Sequence, residues 1–437
     1  MSLPMKDSGV EWLGEVPAHW SVARLATAVR EVARAGHQDL PVLSISIHDG
    51  ISDDELDETE RNRKVAHIED RSKYKRVVPG DIAYNMMRAW QGAFGAVAVE
   101  GQVSPAYVVA APIRPINSNY VELLLRTPMA IEEMRRFSRG IADFRSRLYW
   151  EHFRNIRVCF PPIEEQDRIV SRIAKVTSRI DVLVVKKVRF IELLREKRQA
   201  LITHAVTKGL DPNVPMSDSG VEWLGKIPAH WIVGRLRDFT QSISTGPFGT
   251  ALSSSDYIEG GVPVINPSHI TEFGCLPDQD VTVSEETAIR LAFWRMAPDD
   301  VVTARRGELG RSAVITEQEA GWICGTGSLR VRPNTTKATS EYIHALMHSV
   351  ATRSWLDYQS VGSTMPNLNE ALLGSLPVAV PPSLREQRKL VSMLDAARQK
   401  VDILIAKTER SIDLLREHRT ALITAAVTGK IDLRNAA

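Results

Sequence analysis

One stretch of this chain is written twice. Asp7-Ser8-Gly9-Val10-Glu11-Trp12-Leu13-Gly14 returns unchanged as Asp218-Ser219-Gly220-Val221-Glu222-Trp223-Leu224-Gly225. Pro17-Ala18-His19-Trp20 returns as Pro228-Ala229-His230-Trp231, at the same offset of 218 − 7 = 211. A second pair lies further along: Leu193-Leu194-Arg195-Glu196 matches Leu414-Leu415-Arg416-Glu417, and Ala200-Leu201-Ile202-Thr203 matches Ala421-Leu422-Ile423-Thr424, at an offset of 414 − 193 = 221. The offsets differ by 221 − 211 = 10, so the variable stretch between the repeats is ten residues longer in the second half. A repeat of this kind fixes the plan before any residue-level reading. The order is short motif, variable domain, long helix, twice.

The long segments carry a helical seam. Ile169, Ile173, Val176, Ile180, Leu183, Lys187, Phe190, Leu194, Lys197 and Leu201 advance by alternating fours and threes. Leu390, Leu394, Ala397, Val401, Leu404, Thr408, Ser411, Leu415, His418 and Leu422 do the same in the second copy. Such heptad-like spacing predicts a coiled coil, with Lys187, Lys197 and His418 as weak points facing solvent or a partner. Pro161-Pro162 and Pro381-Pro382 open the helices, and Gly209 and Gly429 close them. About 45 residues make a rod of roughly 65–70 Å. Matched length and register predict that the two rods pair within one chain. The first, Ile163 to Lys208, holds eleven Lys or Arg against six Asp or Glu, a balance of 11 − 6 = +5. That charge suits either a rod passing over nucleic acid or a solvated coiled-coil face.

The variable halves read as mixed α/β. Pro41 to Ile47 and Gly261 to Ile265 are β-rich runs bounded by turn residues. Helical patterns cover Asn119 to Arg126 and Glu341 to His348. Gly80 to Tyr84 and Asp299 to Thr303 look like corresponding strands, each just ahead of a basic loop.

Composition narrows the class. Lys plus Arg is 55 and Asp plus Glu 53 over 437 residues, so any basic surface must be local. Three cysteines, Cys159, Cys275 and Cys324, rule out a disulfide framework and suit a reducing cytoplasm. No signal or membrane-spanning run is visible. Catalytic motifs are missing as well. Gly220 to Ile227 nearly spells a phosphate loop, but Ile227 replaces the magnesium-binding hydroxyl and the first copy has Glu15 for the lysine. Asn266-Pro267-Ser268-His269 lacks the second proline and the aromatic of an adenine-methyltransferase loop. His19 and His230 have no partner acid or cysteine nearby, which favours packing or hydrogen bonding over catalysis.

The doubled Gly-Val-Glu-Trp-Leu-Gly…Pro-Ala-His-Trp opening resembles that of type I restriction-modification specificity subunits. So does the helix start, here Pro162-Ile163-Glu164-Glu165-Gln166 and Pro382-Ser383-Leu384-Arg385-Glu386-Gln387. The resemblance spans essentially the whole chain. It implies two similar globular target recognition domains, 1–162 and 211–382, separated by a pair of long antiparallel coiled-coil helices, 163–210 and 383–437. It implies that each domain reads half of a bipartite site in double-stranded DNA while the helices set the spacing. Two modification subunits would dock on the helices and methylate adenine, and restriction subunits would translocate and cut. S-adenosylmethionine, ATP and magnesium would belong to those partners, with no cofactor or metal on this chain. A stand-alone DNA-binding regulator and a coiled-coil scaffold remain the alternatives.

DNA reading needs cationic phosphate contacts and polar side chains that reach base edges. The first variable domain offers Arg71, Lys73, Lys75 and Arg76, then Asn85, Arg88 and Gln91 around Trp90, then Arg135, Arg136, Arg139, Arg145 and Arg147. The second offers Thr245 within Ser244 to Gly249, then Arg305-Arg306-Gly307, then Ser363, Thr364 and Asn367. Bland readings stand beside these: Arg71 to Arg76 also describe a solvated face, Trp90 a core residue, and Arg135 and Arg136 ion pairs with Glu132 and Glu133. The Arg305-Arg306-Gly307 loop, following a strand, is the strongest candidate for base contact.

Overall fold

The computed structural model describes residues 4–47, 50–52, 73–138, 147–359 and 367–431. The chain forms two compact units: Met1–Lys187 with Arg410–Ala437, and Val188–Glu409. The division cuts through both long helices, so each unit owns half of each.

In unit 1, strands β1 (Ser21–Arg24), β2 (Val29–Glu31), β3 (Ile82–Asn85), β4 (Phe94–Ala96), β5 (Tyr107–Pro112) and β6 (Arg157–Phe160) accompany helices α1 (Ser118–Leu125), α2 (Pro128–Phe137) and the start of α3 (Ile163–Lys208). An antiparallel sheet runs β2-β5-β3-β4, and β1 pairs with β6. In unit 2, β7 (Ile232–Arg235), β8 (Thr240–Thr245), β9 (Ile270–Thr271), β10 (Gly274–Cys275), β11 (Val301–Ala304), β12 (Ser312–Val314), β13 (Ser328–Pro333) and β14 (Pro377–Val380) accompany α4 (Ser340–Met347), α5 (Val350–Gln359) and the start of α6 (Leu384–Val427). Its sheet runs β8-β13-β11-β12 and β7 pairs with β14, the same plan again. The predicted strands at Gly80 and Asp299 are the corresponding central strands β3 and β11.

Each core takes the far end of the other copy's helix. Ala426 and Val427 of α6 are buried with Trp20, Tyr84, Tyr120 and Phe153 in unit 1. Ile202, Ala205 and Val206 of α3 are buried with Trp231, Tyr342 and Leu346 in unit 2. Tyr120 Oη donates to Val427 O at 2.8 Å, and Trp20 meets Tyr120 edge-on at 6.4 Å. Trp231 meets Tyr342 at the same 6.4 Å. Gly429, with φ +73°, ends α6 in the left-handed region, and a Cβ there would collide with Pro17 Cδ. Glycine is required at that position for both its conformation and its size.

The repeated motifs are the fasteners of this arrangement. His19 Nε2 lies 2.8 Å from Glu165 Oε2, and Trp20 Nε1 donates to Glu165 Oε1 at 3.2 Å. His230 and Trp231 hold Glu386 in the same way, at 2.9 and 3.0 Å. The next residue along secures the helix start. Gln166 Nε2 donates to Pro161 O and its Oε1 accepts from Asn117 N, while Gln387 does so with Pro381 O and Thr339 N. The two histidines therefore hydrogen-bond as expected, but the acid partner that the local sequence lacked is present. It arrives from 146 residues away in the first copy and 156 in the second.

The helices pair antiparallel. In unit 2, Arg195 meets Glu409 at 3.3 Å and Arg198 meets Asp402 at 3.0 Å, so one helix ascends as the other descends. In unit 1, Asp181 meets Arg419 at 3.1 Å. The seam departs from the expected heptads after Ile180. Val184, Ile191, Arg198 and Ile202 face inward, where Leu183, Phe190, Lys197 and Leu201 were expected. From Ile169 to Ile202 there are 33 residues in nine steps, 3.67 per step. That is close to the pitch of a straight helix rather than the 3.5 of a left-handed supercoil. In α6 the same slip brings Ile405, Ile412 and Arg419 inward in place of Leu404, Ser411 and His418.

Candidate nucleic-acid interface

A loop that reads DNA must be held rigidly, because a base contact depends on placing a fork of donors within a few tenths of an ångström. Both central strands meet this need with a buried aspartate at their head. Asp81 accepts from Val78 N at 3.0 Å and binds Arg34. Asp300 accepts from Ala297 N at 2.8 Å and from Arg332 Nε and Nη2 at 2.8 and 2.7 Å. The strands then deliver matching loops. Met86 O accepts from Leu148 N, and Arg305 O accepts from Leu368 N, so each loop is tied to a segment just ahead of the unit's last strand.

In unit 2 this geometry separates the two arginines. Arg305 is half-buried; its N–H donates to Gly327 O and its Nε to Leu368 O, both at 2.9 Å. Its guanidinium braces the loop. Arg306 is exposed, bridges backbone-to-backbone with Asn367, and makes no side-chain hydrogen bond or ion pair with a described residue. Gly307 follows at φ +76°. Arg306 and Asn367 therefore stand side by side on a fixed turn, a guanidinium and an amide pointing to solvent. Nearby, Thr245 is engaged: its N and Oγ1 both donate to Glu370 Oε1 at 2.7 Å. A Cβ on Gly246 would collide with Gly325 O, so the loop 246–249 lies hard against 325–327, whose Gly327 holds Arg305. Phe248, at the tip, is 65% exposed.

In unit 1 the matching loop carries Met87, Arg88 and Gln91 on its exposed side. Asn85 is buried, its Oδ1 accepting from Met87 N at 3.0 Å, so it shapes the turn from within. Lys75 Nζ donates to Tyr107 O at 2.6 Å, Arg76 pairs with Glu100, and Lys73 is exposed. Arg135 and Arg136 do pair with Glu132 and Glu133, at 3.5 and 3.7 Å, and Arg135 lies over the Trp90 ring at 5.2 Å. Arg71, Arg139, Arg145, Ser363 and Thr364 lie outside the described residues. Phe248 and Met87 stand exposed on these loops, which the sequence does not reveal, because an apolar side chain reads as core until its exposure is known.

Among the described residues there is no cluster of three His, Cys, Asp or Glu fit to hold a metal. Burial pushes the thiols of Cys159, Cys275 and Cys324 up to about 12, which leaves them unreactive. No described helix is long and apolar enough to cross a membrane.

The helices present a second surface, written once per unit. Unit 1 exposes Val182, Leu183 and Leu414, and unit 2 exposes the equivalent Ile403, Leu404 and Leu193.

What these features define is a class: a duplicated α/β chain, each copy a sheet with a braced edge loop, fastened to a shared pair of long helices. Residues 228–412 match the family model described as the type I restriction modification DNA specificity domain. Over 97% of its length the chain is 24% identical to the putative type I restriction enzyme MjaX specificity subunit of Methanocaldococcus jannaschii, covering 96% of that protein. Two solved structures share the fold. One, from work on complex assembly and conformational transition of the type I R-M system, has a TM-score of 0.69 at 16% identity, over 95% of this chain and 99% of that one. The other, the HsdS subunit from Thermoanaerobacter tengcongensis, has a TM-score of 0.57 at 17% identity, over 95% and 98%. Residues 228–412 thus match a type I restriction modification DNA specificity domain, and the chain as a whole is similar to type I restriction enzyme specificity subunits.

Proposed function

We propose that this chain reads a bipartite site in double-stranded DNA, one half per variable domain, and directs adenine methylation and restriction carried out by partner subunits. The observation that carries this is the repeated loop: in each unit the same antiparallel sheet ends its central strand in a braced turn with exposed polar or cationic side chains outward. Arg306 and Asn367 in unit 2, and Arg88 and Gln91 in unit 1, are the residues we assign to base or groove contact. Lys73 and the basic residues around it supply phosphate attraction that weakens as salt rises. Thr245, Arg305 and Asn85 act as supports.

The chain itself is non-catalytic. Two modification subunits dock on the helices over the repeated apolar trio, and restriction–translocase subunits join them in the cytoplasm. S-adenosylmethionine, ATP and magnesium are bound by those partners. The helices are the ruler between half-sites. Sequencing methylated adenines in cells with and without this gene tests the reading. A gene-dependent, two-part motif with a fixed gap is expected. Methylation unchanged by deletion would refute it.

A further inference from the structure

In unit 2 a hairpin reaches from the sheet back to the helices. The β9–β10 hairpin turns through Glu272 and Phe273. Glu272 accepts from Arg198 Nη2 of α3 at 2.6 Å and also from Arg398 of α6. Arg198 in turn bonds Asp402 Oδ1 at 3.0 Å, and Arg398 lies 3.7 Å from Asp395. One carboxylate on the variable domain is thus gripped by both helices. The side chains of Arg198, Glu272 and Arg398 are only 24, 19 and 11% exposed, so solvent screens them weakly.

The hairpin is stiff enough to transmit that grip. Ile270 and Cys275 are buried in a core with Val302, Ala304 and Ala313 of the reading sheet. Cys275 N donates to Glu319 Oε1, and Thr271 Oγ1 to Gly274 O, both at 2.8 Å. Beside Glu272 is a cavity of about 760 Å³ lined by Phe273, His344, Val391, Arg398 and Ile403. Apolar packing therefore leaves a gap between hairpin and α6, and the ion pairs bridge it. Among the described residues unit 1 has no counterpart. The position matching Arg398 is Thr177 (398 − 221), and the match of Arg198 is Arg419, which pairs with Asp181 on the partner helix.

We propose that Glu272 is a positioning residue that fixes the angle at which the second variable domain stands on the helices. It thereby sets the spacer length at which the second half-site is accepted. This rests on the DNA-specificity reading above. Core residues of one cluster connect Glu272 directly to the strand that carries Arg306, so a change of tilt at the hairpin moves the reading loop as a body.

The test uses the full chain assembled with its modification subunits, on a DNA library of fixed half-sites and spacers varied by one and two base pairs. Glu272→Gln keeps the side chain's shape but removes its charge. It should lower discrimination between the native spacer and its neighbours about fivefold or more, with base preference in both half-sites unchanged. Arg398→Gln removes the α6 arm alone and should move discrimination the same way, by less. Should one variant fail to fold, the other decides the question alone. Wild-type spacer discrimination in a folded variant overturns the proposal, and so does loss of second half-site reading at every spacer. If the wild-type complex recognises no bipartite site, the DNA-specificity reading itself falls, whatever Glu272 does.

Discussion

Units 1 and 2 share a frame and differ in what they bury. Val109 on β5 of unit 1 corresponds to Arg330 on β13 of unit 2 (330 − 221). Arg330 is 4% exposed, and its Nη1 donates to Phe293 O at 2.6 Å and Arg295 O at 2.8 Å. Unit 2 also buries His348, its ring centroid 4.3 Å from that of the half-buried His344, and holds Glu272 on the helices. At the position of Arg330, unit 1 buries the apolar Val109 instead. The same fasteners at the helix ends thus support two differently built reading domains. A frame that confines its fixed interactions to the edges leaves the sheet loops free to differ between the two units.

The largest test of that independence is replacement. Exchanging residues 26–155 for the corresponding segment of another such subunit should change one half of the methylated motif completely and leave the other as it was. Change in both halves would mean that the units do not read separately. The helices offer the next test. Four residues inserted after Ile180, matched by four after Val401, add about 6 Å, or close to two base-pair rises, to each rod. The observed step of 3.67 residues is nearer to four than a heptad is, so the seam survives with little rotation. Sequenced methylation sites should keep both half-sites and widen the gap.

The two helix ends sharpen the comparison in stability. Gly429→Ala forces Cβ against Pro17, whereas at Gly209 the nearest atom to such a Cβ is 3.5 Å away, on Trp231. Both residues have φ +73°. Gly209→Ala should cost about 1 kcal/mol from backbone strain, and Gly429→Ala about 2–4 kcal/mol once overpacking is added. Chemical denaturation of each variant measures the difference; equal losses would contradict the packing. Within unit 2, Arg306→Ala should cost about 1–3 kcal/mol of binding and relax preference at one base of the second half-site. Arg305→Ala should instead loosen the whole loop and blur several positions. Binding of the assembled methyltransferase to single-base variants at two salt concentrations separates these patterns. An even loss across sequences with a smaller salt slope would demote Arg306 to a phosphate contact.

Acid should distinguish the units most gently. Burial, with His348 and Arg398 nearby, pushes His344 down to about 3, and burial lowers His348 as well. Both rings are neutral in the fold but protonate near the ordinary value of about 6.5 once unfolded. Their contribution is therefore complete above that pH and is lost progressively as pH falls towards 3. Hydrogen exchange between pH 7 and 4 should show unit 2 loosening before unit 1, and His344→Phe should narrow the gap.

Much of this was legible in one dimension. Duplication, the long helices and their bounds, and the matching strands at Gly80 and Asp299 follow from repeated words and periodicity, because these are local or self-referential signals. The two halves of the sheet plan could be aligned without knowing the plan itself. Other features had no local signal. Glu165 is an ordinary first-turn acid on a helix until His19 and Trp20 arrive from the other end of the domain. Arg305 and Arg306 are adjacent and chemically alike, yet one braces a backbone carbonyl and the other faces solvent. Alternation along a strand and the position of Leu368 decide which is which.

The sequence by itself determined that this protein is two copies of one plan on paired helices, since repetition and hydrophobic period are properties of the chain. Only the tertiary structure decided the pitch of the seam. A run of apolar residues two or three abreast fits both 3.5 and 3.67, and the facing helix selects between them by what it can bury. Only tertiary structure, too, closed each unit with the other copy's helix end, put Val427 under Tyr120, and brought Glu272 between two arginines on two helices. Those contacts join residues 307, 74 and 126 positions apart. Their free energy depends on burial and distance, which no spacing along the chain encodes.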